Sequence, residues 1–360
     1  MATQPGPGPR SGLRGFEPAY FAMVMATGIL SVDVHAHGYE LFAKALFGVN
    51  ALAYLVLWLI NAVRLIKYPR AMAADLRSHA RGPGFLTVVA GTSLIGSQIA
   101  LFTTARSVAA GLWFFSVSLW VLIGYAFLIL MTIGKLKPFL ETGINGTWLL
   151  MPVATQSLVV LGTSLKEALP APEIAMFACM SFYALGAVLY LILIAMIFYR
   201  WEFVRMHPNE LSLTFWINSG AASITVLAGA RLLSSNASEV QALMDRAFVA
   251  PFTLLFWAAA TWWIPLLVLA YIWRFAIRRV PVSYRAAWWS VVFPVGMYAT
   301  CTREYARAVS ISFLEPLSDA FTVIAVAAWA IAAVGVVRAM LFTLISGLSP
   351  DGLRRNRRKA

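Results

Sequence analysis

The chain has 360 residues, of which 61% are hydrophobic and 12% charged, and its mean hydropathy is +0.77. Soluble globular proteins are about 45–50% apolar and about 25% charged. The composition therefore excludes a soluble enzyme, a coiled coil and a disordered protein, and it indicates an integral membrane protein. Lys and Arg outnumber Asp and Glu by 28 to 15. Because cytoplasmic loops of membrane proteins collect Lys and Arg, we attribute this excess to topology and expect no nucleic-acid partner.

Ten apolar runs separated by polar turns follow one another along the chain. About 20 residues cross a bilayer, so ten helices fit this length with short loops between them. The pattern predicts an all-α membrane domain over 16–346, between a disordered cytoplasmic N-terminus (1–15) and a basic cytoplasmic tail (347–360). The predicted spans are 16–34, 41–66, 84–104, 108–134, 147–165, 172–200, 211–233, 248–275, 286–302 and 313–346.

The spans repeat in pairs. The odd-numbered spans begin near residues 16, 84, 147, 211 and 286, at offsets of about 68, 63, 64 and 75 residues. This spacing indicates five copies of one helical hairpin. Odd spans carry Gly and small polar residues, whereas even spans are more uniformly apolar. Because polar atoms facing lipid are costly, we predict that the odd helices form an inner ring round a central pore. Close helix packing is the alternative reason for the small residues.

The distribution of Lys and Arg predicts the orientation. If both termini and the loops after the even spans share one side, that side holds 21 of the 28 basic residues. The rule that cytoplasmic loops are basic therefore predicts that both termini are cytoplasmic.

Candidate pore-lining residues are the Gly, Pro and small polar residues of the odd spans. These residues are Thr27, Gly28, Gly91, Gln98, Pro152, Thr155, Gln156, Asn218 and Gly220. No Asp or Glu lies in the middle of an odd span, so the sequence offers no evident proton relay within the bilayer. A lumen of hydroxyl and amide groups without fixed charge is suited to weakly selective transit of anions.

Basic residues lie at the far ends of four odd spans, namely Arg106, Lys166, Arg231 and Arg303. A ring of cations at a narrow mouth concentrates anions, so we interpret these four as an outer vestibule. Stabilisation of helix C-termini by Lys and Arg is a compatible alternative.

Two prolines, Pro152 and Pro294, fall within odd spans, where a proline removes a backbone hydrogen bond and kinks the helix. A kink at Pro294 turns the preceding Phe293 toward the pore axis, where the ring becomes a candidate plug. Packing of Phe293 against neighbouring tryptophans is the alternative.

Motifs of enzymes are missing: the sequence has no HExxH, Walker, GxSxG or dinucleotide-binding pattern. Asp33, His35 and His37 are the one group of possible metal ligands, and we interpret them as surface residues. We therefore expect no enzyme activity, no metal and no cofactor.

Four segments carry a resemblance to the tellurite-resistance/dicarboxylate transporter family. They are FAMVMATGILS (21–31), GPGFLTVVAGTSLIGSQ (82–98), FWINSGAASITVLAGARLL (215–233) and WWSVVFPVGMYAT (288–300). The family includes TehA-type bacterial channels, plant slow-type anion channels and fungal malate permeases. The chain looks most like the bacterial C4-dicarboxylate transporter branch.

The resemblance implies a homotrimer in the cytoplasmic membrane, with a pore in each protomer that a phenylalanine of the ninth helix occludes. By position that residue is Phe293, with Val292 and Met297 as alternatives in register. The expected cargo is a small anion: a C4-dicarboxylate such as malate, or an inorganic ion such as chloride, nitrate, sulfite or tellurite. A proton-coupled dicarboxylate carrier, with Glu17, Asp33 or His35 as titrating group, and a tellurite or sulfite exporter are the alternatives.

Overall fold

The computed structural model describes residues 12–135, 137–235, 245–282 and 284–348, with side chains up to residue 339. All regular structure in these residues is helical. In chain order the helices are α1 (Ala22–Ala36), α2 (Glu40–Lys67), α3 (Pro69–Leu76), α4 (Leu86–Phe102), α5 (Arg106–Ile133), α6 (Leu140–Gly143), α7 (Leu150–Ser164), α8 (Pro172–Phe203), α9 (Ile217–Ser234), α10 (Arg246–Ile272), α11 (Trp289–Val309) and α12 (Glu315–Leu348).

Within the described residues, nine helical segments are long and apolar enough to cross a membrane. The predicted span at 286–302 coincides with α11, which does not meet that criterion. The helix is 21 residues long, but its last two turns carry Arg303, Glu304 and Arg307, which lower its hydropathy. The prediction of a multi-pass membrane protein is confirmed, with nine such segments in the described part of the chain.

Five helices form a closed ring. Each of α1, α4, α7, α9 and α11 contacts the next, and α11 returns to α1. Each ring helix also packs against the long helix that follows it in the chain, which gives five hairpins. In the four ring helices that qualify as spans, 67–89% of the residues are buried, against 17–33% in the five outer helices. The arrangement is the one that the alternation of polar and apolar spans predicts.

A single 3-10 turn precedes each ring helix. These turns are Pro18–Phe21, Gly82–Phe85, Gly146–Leu149, Leu213–Trp216 and Ala286–Trp288. The turns also contact one another in a ring. Gly146 shows why they approach so closely: a Cβ there would lie 2.1 Å from the carbonyl oxygen of Thr214. Only glycine fits at that contact.

Hydrogen bonds join each outer helix to the ring helix of the following hairpin. The donor is a Trp, Tyr or Asn side chain in every case. The five bonds run from Asn50 Nδ2 to Gln98 Oε1 (2.7 Å), Trp120 Nε1 to Thr155 Oγ1 (2.9 Å), Tyr190 OH to the Asn218 carbonyl (3.2 Å), Trp257 Nε1 to Thr302 Oγ1 (3.1 Å) and Trp329 Nε1 to Thr27 Oγ1 (3.0 Å). The last bond connects α12 back to α1, so the hairpins are linked in a closed cycle.

The N-terminal segment is attached to the first hairpin. Of the segment 1–15, expected to be disordered, Gly12–Gly15 form a 3-10 turn, and residues 1–11 lie outside the described part. Buried Arg64 forms an ion pair with Asp75, whose other oxygen lies 3.1 Å from Arg81 Nε. Arg81 also donates to the carbonyls of Gly15 and Phe16. The expected basic tail lies outside the described residues except for its first two positions, which belong to α12.

We predict that Trp329→Phe lowers the stability of the protein, because the substitution keeps an aromatic ring but removes the bond that closes the cycle. Hydrogen bonds between membrane helices contribute about 0.6 kcal/mol on average and up to about 2 kcal/mol. Thermal unfolding in detergent measures the loss.

Trp262→Phe is the control, because Trp262 lies exposed on the outer face of α10. Equal melting temperatures for the two variants would contradict a stabilising role for the α12–α1 bond.

Candidate pore and gate

Two cavities lie inside the ring, since side chains of all five ring helices or their 3-10 turns line each of them. The N-terminal cavity lies where the ring helices begin. Its walls include Ala22, Thr87, Leu150, Ile217 and Ser290. The C-terminal cavity lies further along the same axis, and its walls include Ser93, Ser97, Ser157, Ile224, Leu227 and Met297.

Phe293 and Met25 separate the cavities, because both side chains line both cavities. They are 3% and 1% exposed, so the partition they form is packed. Of the three alternatives in register, Val292 lines neither cavity and Met297 lines only the C-terminal one. Phe293, which the sequence analysis predicted as a plug, therefore lies between the two cavities, and Met25 lies there with it, a position that the sequence did not reveal.

The proline that follows Phe293 lies inside α11. It removes the hydrogen bond to the carbonyl of Ser290, four residues earlier. A Cβ on Gly220 of α9 would lie 2.8 Å from Pro294 Cγ and 3.3 Å from its Cα, so the two helices touch at the proline. Pro152 differs from the expectation. It is the third residue of α7, in the first helical turn, where proline is tolerated without a kink.

The residues predicted to line the pore lie elsewhere. None of the nine lines either cavity in the described structure. Gln98, Thr155 and Thr27 accept hydrogen bonds from outer helices, and Gln156 donates to the Tyr183 carbonyl of α8. Gly28, Gly91 and Gly220 lie where neighbouring helices approach, and Pro152 and Asn218 are buried. The polar side chains predicted to line the pore thus serve mainly to join the ring helices to the outer helices.

The residues that do line the cavities follow a helical spacing that sequence reasoning missed. On α4 they are Thr87, Ala90, Ser93, Leu94 and Ser97, in which each residue has another three or four positions away. The same spacing places them on one helix face. Because a ring helix is buried on all sides, polarity does not distinguish the face that lines the cavities. A comparison of equivalent positions in the five repeats is the signal that could identify this face.

The N-terminal cavity lies among the N-terminal ends of the ring helices. Five helix N-termini surround it, and each carries the positive end of a helix dipole, equivalent to about half a charge. Unpaired N–H groups at such termini bind anions readily. The charged side chains that line the cavity are Glu17 and Arg81.

The basic residues at the opposite end of the ring have acidic partners. Arg106 lies 3.5 Å from Glu167, Arg231 lies 3.3 Å from Glu304, and Arg303 lies 3.2 Å from Asp319. Lys166 is half-buried in the turn after α7. These ion pairs reduce the positive electrostatic field that four unpaired cations would produce. Two of the pairs also have a structural role, because they join α11 to α9 and α11 to α12.

Asp33, expected at the surface, is fully buried at the end of α1. Thr300 of α11 donates to its Oδ1 at 3.3 Å, and His37 Nδ1 lies 4.0 Å from the same oxygen. His35 instead pairs with Glu40 at 2.7 Å. The described residues contain no group of three or more His, Cys, Asp or Glu placed to hold a metal ion.

We predict that Gly220→Ala destabilises the protein by about 1–3 kcal/mol, the usual effect of overpacking a close helix contact. The new methyl group would push α9 and α11 apart at Pro294, next to the plug. Gly111→Ala in α5 is the matched control, because no atom lies within 4 Å of its added Cβ. That control is expected to be neutral or stabilising, since Ala favours a helix over Gly. Thermal unfolding distinguishes the variants, and an unchanged melting temperature for Gly220→Ala would contradict the close contact.

Comparisons with known proteins identify relatives of the chain and its family. An uncharacterized membrane protein of Mycobacterium tuberculosis is 35% identical over 139 residues, which cover 39% of this chain and 70% of the relative. An uncharacterized transporter of Methanocaldococcus jannaschii is 23% identical and covers 81% of the chain and 85% of its own length. A sulfite efflux pump of Trichophyton rubrum is 24% identical over 88% of both chains. Residues 15–337 match the family described as voltage-dependent anion channel (SLAC1). The chain therefore belongs to the voltage-dependent anion channel family and is an anion channel or transporter, not an enzyme.

Proposed function

We propose that the protein is a gated channel that passes small anions through the ring of α1, α4, α7, α9 and α11 down their electrochemical gradient. The observation that carries the proposal is the partition of the ring interior by Phe293 and Met25. A pore interrupted by two flexible side chains is a closed channel, and movement of those side chains opens it. The five helix N-termini at one mouth attract anions.

The polarity of the pore favours transit over tight binding. No charged side chain lines the C-terminal cavity among the described residues. An ion meets apolar walls there and no charged group that would hold it, so it can leave as easily as it arrives. Rapid conduction needs this balance.

The topology and assembly belong to the same proposal. α11 crosses the membrane with the nine apolar segments, because it occupies a place in the ring between α9 and α1. The excess of Lys and Arg on one side supports cytoplasmic termini and a location in the cell membrane. In this orientation the N-terminal cavity faces the cytoplasm. A homotrimer with one pore in each protomer is expected from the family resemblance.

Sulfite is a favoured cargo among the small anions, because relatives that cover 88% of the chain are named sulfite efflux pumps. Chloride, nitrate, malate and tellurite are the other candidates. A proton-coupled carrier is the second candidate function. Its support is Asp33, a fully buried carboxylic acid that contacts α11 through Thr300.

Phe293→Ala is expected to raise anion flux by about tenfold or more, because the substitution removes most of the partition. Flux of chloride, nitrate, sulfite and malate into liposomes containing the purified protein measures the effect. Val292→Ala is the control, since Val292 precedes the plug and lines neither cavity. Equal flux through the wild type and a folded Phe293→Ala variant would contradict the gate. Uptake that requires a proton gradient would favour the carrier.

Replacing Arg231 and Arg303 together by Gln is expected to lower anion flux several-fold at low salt and much less at physiological salt. The substitutions leave Glu304 and Asp319 without their cations, so the outer mouth becomes more negative. The Debye length shortens from about 30 Å at 0.01 M to about 8 Å at 0.15 M, which screens this field.

The converse variant, Glu304→Gln with Asp319→Asn, is expected to raise the flux at low salt. A loss of flux that is equal at both salt concentrations would assign the arginines a structural role only.

A further inference from the structure

A groove lies on the outer surface of the protein, between the later part of α12 and the segment that precedes α11. Its volume is about 790 Å³, and almost all of its exposed surface is apolar. Ala330, Val334 and Arg338 of α12 form one side, and Tyr284 and Trp288 form the other. Val334 is 49% exposed and α12 is an outer helix, so the groove opens toward the surrounding lipid.

A second cavity adjoins the groove, because Val282 and Trp288 line both. Its volume is about 350 Å³, and its exposed surface is mainly polar. Arg274, in the helical turn Trp273–Ile277 that follows α10, and Arg285, just before α11, line this second cavity. Among the described residues that line it, none is Asp or Glu. The second cavity is therefore basic where the groove is apolar.

The two arginines are suited to hold a phosphate group. Arg274 Nη1 donates to the backbone carbonyl of Leu211, which orients the guanidinium group. A guanidinium has five N–H donors in a planar fork, a geometry that matches phosphate oxygens. Arg285 is exposed and contributes a second positive charge to the same cavity. Because the two like charges repel each other, an anion bound between them is stabilised by both.

The second cavity and the groove lie at the depths that a head group and an acyl chain occupy. α11 and α12 form one hairpin, so the later part of α12 lies beside the start of α11. Tyr and Trp, the residue types at 284 and 288, are enriched where a membrane meets water. Ala330 lies two helical turns before Arg338, about 12 Å nearer the middle of the membrane. The groove thus extends from the membrane surface into the hydrocarbon region.

We propose that the basic cavity and the groove together bind one anionic phospholipid. Its phosphate lies between Arg274 and Arg285, and an acyl chain lies in the groove against α12. The occupant is a lipid and not a free phosphate, because a free phosphate would leave the apolar groove unfilled. Segment 274–285 carries four arginines and no acidic residue, which favours a lipid with net negative charge over a zwitterionic one. This site goes beyond the proposed function and does not depend on it.

The experiment is native mass spectrometry of the purified full-length protein in detergent, titrated with dioleoyl phosphatidylglycerol. We expect the wild type to bind one molecule in preference to further ones. Arg285→Gln is expected to raise the Kd of that molecule about tenfold, the effect of one hydrogen bond to a charged group. Because Arg285 is exposed, this variant should fold as the wild type does. Arg279→Gln is the control, since it removes a charge from the same segment but lines neither the basic cavity nor the groove.

The acyl chain has its own pair of variants. Ala330→Phe places a ring in the groove and is expected to weaken binding of the same lipid several-fold. Ala327→Phe is the matched control, because Ala327 is also exposed on α12 but does not line the groove. Dioleoyl phosphatidylcholine, which has the same chains and no net charge, should bind the wild type several-fold more weakly than phosphatidylglycerol.

Three results would overturn the site. The first is an equal Kd for phosphatidylglycerol in Arg285→Gln and Arg279→Gln. The second is displacement of the lipid by millimolar inorganic phosphate together with an unchanged Kd in Ala330→Phe, which would assign the basic cavity to a free anion. The third is a change in the oligomeric mass of Ala330→Phe with no preferred lipid on the wild type, which would assign the groove to a second copy of the chain.

Discussion

The fold depends on a constraint that the bilayer imposes on the ring helices: their polar side chains can find hydrogen-bond partners only within the protein. The five outer helices meet part of this requirement. Each donates a side-chain hydrogen bond to the ring helix of the next hairpin, and the bond from Trp329 to Thr27 completes the cycle. The ring is therefore held from outside, and its interior needs no polar groups for its own stability. This division leaves the residues along the axis free to serve permeation.

The proposed gate depends on the same division. Phe293 and Met25 fill the axis without a hydrogen bond to hold them, so their side chains can move while the helices stay in place. Pro294 and Gly220 fix the local path of α11 beside the plug. In the proposed mechanism, opening requires rotamer changes of these two side chains, which are faster than a rearrangement of helices.

The architecture was predictable from the sequence because it rests on a periodic signal. The repeat of span pairs and the contrast between polar and apolar spans predicted the hairpins and the ring. The position of Phe293 between the two cavities agrees with the prediction made from the proline that follows it and from the family resemblance, and its role as a gate stays a proposal. The residues that line the cavities could not be predicted in this way. Polarity drew attention to Thr27, Gln98 and Thr155, whose side chains bond to the outer helices instead. The burial of Asp33 could not be predicted, because its partner Thr300 lies 267 residues away in the chain.

The bond between Trp329 and Thr27 has a consequence for biosynthesis, because it joins residues 302 positions apart. A membrane protein made from its N-terminus inserts α1 long before α12 exists. Until the last hairpin arrives, the ring is an open arc, and α1 presents Thr27 and Asp33 at its free edge. Insertion of α11 and α12 supplies partners to both residues at once. Asp33 and Thr27 therefore gain these partners only when the final hairpin is in place.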